Sequence, residues 1–245
     1  MKKESWKKLG IVLIFAAAMG FLEAVIVVYL RKIYYPNGFN FPLVPIETWV
    51  LNIEWVREFF TIVILACIGL LAGRRLHEKF AYFLYSFAMW DIFYYIWLKV
   101  ILNWPSSFLT WDLLYLIPLP WTGPVITPIL YSITISILAL CIIHCEDKNY
   151  KVKLSKLEWA LFILGSAVIL YTFLYDYGSL IFKGGFGYQF LTLAANESFN
   201  QQIFSYIPTS YNWILFVLGE ILIFVSILAF FIRTKKNLKG DIISH

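Results

Sequence analysis

The sequence Leu51-Asn-Ile-Glu54-Trp-Val-Arg57-Glu58-Phe-Phe-Thr61 places three charged residues within one apolar segment. No charged residue follows between Ile62 and Ala72, so the segment is long enough to cross a membrane as a helix. Its polar residues are three or four positions apart, which places them on one side of that helix. A charged side chain at the centre of a bilayer costs roughly 2.5–3.5 kcal/mol. Three of them cannot all face lipid, and we therefore predict that this side faces other helices in a bundle.

The whole chain has the composition of a polytopic membrane protein. Of its 245 residues, 61% are hydrophobic and only 14% are charged, whereas soluble domains carry about 25% charged residues. Aromatic residues make up 20% of the chain, and tryptophan and tyrosine favour the headgroup depth at which helices end. The lysines at the start precede an apolar segment that is too long for a signal peptide, so we interpret that segment as a retained span.

Hydropathy and turn signals predict an all-α fold, with six transmembrane helices in a single domain that covers residues 1–245. Turn signals such as Pro36-Asn37-Gly38 and the basic Gly73-Arg74-Arg75 separate the apolar segments. The predicted spans cover about residues 9–30, 47–72, 80–102, 124–143, 157–175 and 213–232. The long segment between the last two spans is predicted to be a loop.

The basic residues predict the orientation of the chain. Four lie at the N-terminus, three between the second and third spans, four between the fourth and fifth, and four after the sixth. Cytoplasmic segments carry an excess of lysine and arginine, so both termini are predicted to be cytoplasmic in a multi-pass protein of the plasma membrane, of the bacterial inner-membrane type. This asymmetry also accounts for the net charge of +5, and we predict no nucleic-acid partner.

The outer segment between the third and fourth spans predicts a short interfacial helix. Thr110 is a good N-cap residue, and Asp112 would lie in the first turn, where a negative charge suits the helix dipole. Pro118 and Pro120 would end this helix. Its aromatic residues favour a position in the membrane interface.

Several ionisable residues lie within the predicted spans, all in the outer half of the membrane or near its middle. At 1.5 Å per residue, Glu23 is roughly 10 Å below the outer end of its helix, Glu220 roughly 11 Å and Arg57 roughly 13 Å. Asp91, Tyr95 and Lys99 share one face of the third helix. We predict one binding site at the meeting point of four helices, formed by Glu23, Glu54, Arg57, Glu58, Asp91, Tyr95, Lys99 and Glu220. Arg57 is expected to pair with Glu23, Asp91 or Glu220 from another helix.

The site contains five acidic and two basic residues. The surplus negative charge must be neutralised by protonation, by a bound cation or by a substrate amine. The alternative interpretation is a structural network of hydrogen bonds and ion pairs that holds the helices together.

Three functions are compatible with this pattern. The first is binding or transport of a cation, a proton or a small polar solute. The second is a membrane-embedded enzyme for a lipid or isoprenoid substrate, in which Arg57 would hold a phosphate or carboxylate and Tyr94 or Tyr95 would assist. The third is a non-catalytic subunit or assembly factor whose aromatic outer segments bind a partner membrane protein. Membrane lipid is the expected surrounding in each case, and the sequence identifies no cofactor.

Two short motifs carry less weight. Cys141-x-x-His144-Cys145 resembles metal-ligand spacing but lacks a fourth ligand, so we predict no metal site there. The cysteines Cys67, Cys141 and Cys145 are expected to remain free thiols. Asn196-Glu-Ser198 matches a glycosylation acceptor.

Overall fold

The computed structural model describes residues 1–117, 119–184 and 197–243, and it is predominantly helical. The glycosylation motif at Asn196 begins outside these residues. The elements in chain order are α1 (Lys3–Tyr34), α2 (Thr48–Ala72), α3 (Leu76–Leu102), β1 (Trp111–Tyr115), β2 (Trp121–Pro124), α4 (Ile126–Asp147), α5 (Lys156–Lys183), α6 (Glu197–Ser205) and α7 (Trp213–Ile243).

Five helices are long and apolar enough to cross a membrane: α1, α2, α4, α5 and α7. The chain is therefore a helical protein with the character of a membrane protein. α3 is also long, at 27 residues, but it carries more aromatic residues than any of the five others. Its charged residues include Asp91 and Lys99.

α3 lies at the centre of the bundle, where it packs against α1, α2 and α4. α4 in turn contacts α7, and α7 packs against α5. Small residues allow close helix contacts. A Cβ atom on Gly20 would lie 2.9 Å from the carbonyl oxygen of Trp90, and one on Gly165 would lie 2.7 Å from that of Gly219. Such small residues are typical of helix interfaces in membranes, because they let two backbones approach each other.

Ion pairs and hydrogen bonds join the helix ends that carry most of the basic residues. Arg75 donates to Glu146 at 3.1 Å, and Arg233 donates to Glu158 at 2.7 Å. Ser5 donates to Asp147 at 2.7 Å. These contacts join α1, α3 and α7 to the C-terminal end of α4 and the N-terminal end of α5.

The segment predicted as an interfacial helix is instead a β-hairpin, so that prediction is wrong. β1 and β2 pair antiparallel, with Asp112 opposite Gly123 and Leu113 opposite Thr122. Few residues separate Thr110 from the prolines, and a helix this short gains too few hydrogen bonds to offset its nucleation cost. Tryptophan, tyrosine and threonine also favour strands. In the hairpin, Asp112 is fully buried rather than exposed in a first helical turn.

The hairpin covers one end of the bundle. Asp112 accepts hydrogen bonds from Arg31 of α1 and Tyr95 of α3. Thr122 donates to Asp176 of α5 at 3.0 Å. α5 therefore continues as a helix to Lys183, past the predicted end near residue 175, because Asp176 has partners in the hairpin and does not begin a loop.

Candidate functional site

The polar face of α2 points into the bundle, as its spacing predicts. Glu54, Glu58 and Thr61 are buried, and the Arg57 side chain is 18% exposed. The large apolar residues between them are exposed on the opposite face: Trp55, Val56, Phe59 and Phe60. This division is that of a helix with one face toward lipid and the other toward protein.

Arg57 links α2 to α1. Its Nε and Nη2 atoms lie 2.8 and 2.7 Å from Glu54 Oε2, and its Nη1 atom donates to Glu23 Oε1. This geometry confirms the expected pairing of Arg57 with a carboxylate from another helix. A fork of two pairs is the arrangement in which a guanidinium stabilises two carboxylates at once.

Thr61 completes this part of the site. Its hydroxyl donates to the Arg57 carbonyl oxygen at 3.1 Å and lies 3.5 Å from Glu23 Oε2. The Arg57 cluster is defined here as Glu23, Glu54, Arg57, Glu58 and Thr61.

Glu58 has a different environment from Glu23 and Glu54. Its two carboxylate oxygens share the backbone N–H of Leu116, at 3.1 and 3.0 Å. The Tyr115 hydroxyl donates to the Glu58 backbone carbonyl at 2.8 Å. Within the described part of the chain, no lysine, arginine or histidine forms a salt bridge with Glu58. Its charge therefore has only a neutral donor as a direct partner.

Charge in the Arg57 cluster is unbalanced. Three carboxyl groups, each less than 9% exposed, accompany a single guanidinium. Arg57 pairs directly with two of them, and Glu58 remains. An unpaired charge in a low-dielectric interior costs several kcal/mol, so neutralisation of one carboxyl group is strongly favoured.

Asp91 and Glu220 do not join the Arg57 cluster, so the expectation of one site across four helices needs correction. Asp91 accepts a hydrogen bond from Ser132 at 2.9 Å, and Glu220 accepts one from Thr134 at 2.7 Å. Both donors lie on α4, which stands between α3 and α7. Helix α4 thus supplies these two carboxyl groups with neutral hydroxyl partners. Arg57 pairs instead with Glu23 and Glu54, which lie on helices on the other side of α3.

Tyr95 and Lys99 also lie outside the Arg57 cluster. The Tyr95 hydroxyl donates to Asp112 Oδ2 at 3.2 Å. Lys99 is exposed, and its ammonium group donates to the carbonyl oxygens of Asn103 and Pro105 at 3.3 and 3.0 Å. A lysine in this position satisfies carbonyl groups at the C-terminal end of α3.

The structure adds a buried ion pair that sequence reasoning missed. Arg31 Nη2 donates to Asp112 Oδ1 at 2.9 Å, and both residues are buried. The Arg31 guanidinium lies 3.8 Å from the ring centre of Trp104 and 4.6 Å from that of Phe39. Burial raises the pKa of Asp112, while the positive charge of Arg31 opposes that rise. The sequence signal that could have indicated this ion pair was Arg31 itself. It lies in a predicted outer segment, where basic residues are few, and near several aromatic residues.

A second polar contact of the hairpin was also missed. Asp176 accepts hydrogen bonds from Thr122 at 3.0 Å and from the Tyr206 hydroxyl at 2.8 Å. The hairpin therefore contacts acidic or basic side chains of α1, α2 and α5. It connects the Arg57 cluster to the rest of this end of the bundle through Leu116.

The described residues include no group of three His, Cys, Asp or Glu side chains in an arrangement suited to a metal ion. Cys141 and Cys145 are free thiols, as is Cys67. Carboxylates in the Arg57 cluster face a guanidinium and a backbone amide, which are donors that compete with a metal ion for the same oxygens.

Comparison of the chain with models of known protein families, with curated proteins and with solved structures found no significant match.

Proposed function

We propose that the chain is a six-span protein of the plasma membrane, with α3 as the sixth span and both termini in the cytoplasm. The length of α3 and its central position among three apolar helices support this proposal. A helix packed against α1, α2 and α4 must run through the same layer as they do. The asymmetric distribution of basic residues supports the orientation, which places the hairpin and the Arg57 cluster on the outer side.

We further propose that the Arg57 cluster binds a proton, as part of a membrane protein that binds or transports a proton, a cation or a small polar solute. The observation that carries this proposal is the charge imbalance of three buried carboxyl groups around one guanidinium. A proton removes one of the two surplus negative charges and needs only a single oxygen atom. A metal ion needs several converging oxygen ligands, and the described residues provide no such group.

Glu58 is the proposed acceptor of the proton. Glu23 and Glu54 each contact Arg57 directly, and the positive charge of the guanidinium favours their charged form. The two carboxylate oxygens of Glu58 share a single backbone N–H donor. Lone pairs on these oxygens therefore remain free to accept a proton. Arg57 has the role of fixing the charge state and the positions of its two partners.

A membrane enzyme for a lipid substrate is the second candidate. α1 and α2 contact each other at few points, and the Arg57 side chain remains 18% exposed. An arginine that is partly accessible between two helices suits a phosphate or carboxylate headgroup. This candidate predicts that anionic lipid stabilises the protein and that Arg57→Lys removes the effect.

The test of the proton site is the melting temperature of the purified protein in detergent from about pH 5 to about pH 8. A proton that binds the folded state more tightly than the unfolded state stabilises the fold as the pH falls. The parent protein should therefore melt at a higher temperature at the acid end. Glu58→Gln keeps the shape of the side chain and removes the charge, so its melting temperature should vary less with pH and stay near the parent's acid value.

Glu47→Gln is the matched control, because Glu47 is an exposed carboxylate just before α2. This variant should keep the pH dependence of the parent. The same pH dependence in Glu58→Gln as in the parent, or none in the parent, would contradict the proposal.

A further inference from the structure

Glu220 lies on α7 at the edge of the face that packs into the bundle. Phe216, Gly219 and Ile223 beside it are buried, while Val217 and Ile221 are exposed. Glu220 itself is half-buried and lies next to α4. It follows Trp213 by seven positions, which places it roughly 11 Å along the helix.

The Glu220 carboxyl group has one hydrogen-bond partner in the part of the chain that the structure describes. Thr134 Oγ1 donates to Oε2 at 2.7 Å, and Oε1 is buried with no partner. Among the residues that the structure describes, Glu220 forms no salt bridge with a lysine, arginine or histidine. A carboxylate with a single hydroxyl partner has far less stabilisation than in water.

Asp91 repeats this arrangement on the other side of α4. Ser132 Oγ donates to Asp91 Oδ2 at 2.9 Å. Positions 132 and 134 are two residues apart and project to nearly opposite sides of a helix. Helix α4 therefore supports one acidic residue of α3 and one of α7, and within the described ranges neither has a cationic partner at salt-bridge distance.

We propose that Glu220 is a second proton-binding site, separate from the Arg57 cluster, and that the proton resides on Oε1. Protonation removes the charge from an acidic side chain between α4 and α7 while the hydrogen bond from Thr134 to Oε2 is kept. A metal ion is disfavoured, since no group of three acidic, histidine or cysteine ligands meets here among the described residues. Because Glu58 and Glu220 lie on different helices with different partners, the two sites are tested independently.

Dicyclohexylcarbodiimide, an apolar reagent, tests this assignment. A carboxylic acid transfers its proton to a nitrogen of the carbodiimide, and the carboxylate oxygen then bonds to the central carbon to give an O-acylisourea. An acyl shift from oxygen to nitrogen converts this adduct to a stable N-acylurea, so one whole carbodiimide is added and nothing leaves. The purified protein in lipid vesicles is treated from about pH 5 to about pH 8, and the modified peptide is identified by mass spectrometry.

The expected result is labelling of Glu220 that declines as the pH rises and is absent in Glu220→Gln. Thr134→Val removes a donor that stabilises the charged form, so its labelling should persist to higher pH. A purely structural role for Thr134 does not predict that shift. Glu47, which is exposed to water, should remain unlabelled.

The infrared band of a protonated carboxyl group gives a second readout that does not depend on reagent access. A band present in the parent and lost in Glu220→Gln supports the site even where labelling fails. Absence of both signals over the whole pH range would overturn the proposal. Protection of Glu220 by Na⁺ but not by K⁺ at constant pH would also overturn it, because the site would then take a metal cation.

Discussion

Arg57 joins two helices through one guanidinium, since it donates to Glu54 on its own helix and to Glu23 on α1. Arg57→Ala would leave both carboxylates buried without a cation. We expect the free energy of unfolding to fall by roughly 3–5 kcal/mol, as for other buried ion pairs that lose one partner. Chemical or thermal unfolding in detergent measures the change. Arg57→Lys is the control, and it should lose less, because it keeps the charge but not the fork.

A loss below about 1 kcal/mol in Arg57→Ala, the range of exposed ion pairs, would contradict this account of the residue. It would show that Glu23 and Glu54 find other partners or become protonated without cost.

At the residue scale, spacing predicted the buried face of α2 and the pairing of Arg57 with another helix. It did not predict that the carboxyl groups of Asp91 and Glu220 lie outside the Arg57 cluster. Asp91 and Glu220 have hydroxyl partners, Ser132 and Thr134, and a hydroxyl in an apolar helix gives no charge signal in the sequence. The neighbours of each helix depend on tertiary packing, which periodicity alone does not specify.

At the scale of elements, the hairpin depends on the buried pair of Asp112 and Arg31. Asp112→Ala would leave Arg31 buried without its counter-ion, so we expect hydrogen exchange of the amides in residues 111–124 to accelerate. The expected loss of unfolding free energy is roughly 3–5 kcal/mol. Hydrogen exchange with mass spectrometry measures the local effect.

Thr122→Val is the milder comparison for the hairpin. It removes one hydrogen bond to Asp176, which keeps its contact with Tyr206, so the loss should be roughly 1.5–3 kcal/mol. Unchanged exchange in Asp112→Ala would show that the hairpin is held by its aromatic contacts and not by the ion pair.

Gly20 gives a second prediction at this scale. A Cβ atom there would lie 2.9 Å from Trp90 O and 3.0 Å from Tyr94 N, both backbone atoms of α3. Gly20→Ala must therefore move α1 away from α3, and we expect a loss of roughly 1–3 kcal/mol in unfolding free energy. Gly10→Ala on the same helix is the control, because no described residue beyond its own stretch of helix lies within 4 Å of its added Cβ. Equal stability of the two variants would be inconsistent with the tight α1–α3 contact.

The hairpin also shows where local sequence rules failed. Thr110 and Asp112 match the start of a helix, but Asp112 is used as the partner of Arg31. That partner is 81 positions away in sequence, and the local signals for a helix start carry no information about so distant a partner. Helix signals were reliable only where the apolar segment was long, as in α2 and α7.

At the scale of the whole molecule, the six-span topology predicts which connections are accessible from outside. In a variant whose three cysteines are replaced by serine, single cysteines at Asn37 and Ser107 should react with an impermeant thiol reagent on intact cells. A cysteine at Asn149, between α4 and α5, should react only after permeabilisation. A cysteine at Arg74 should likewise react only after permeabilisation. Because positions 74 and 107 lie on either side of α3, labelling of both from the same side would contradict α3 as a span.

Glu58 is proposed to hold a proton in the folded protein. The most direct measurement is the infrared difference spectrum between the parent protein and Glu58→Gln in lipid vesicles, recorded across about pH 5 to about pH 8. A band from a protonated carboxyl group should be present in the parent, weaken as the pH rises and be missing in Glu58→Gln. A difference spectrum that shows only an ionised carboxylate for Glu58 at every pH would contradict it.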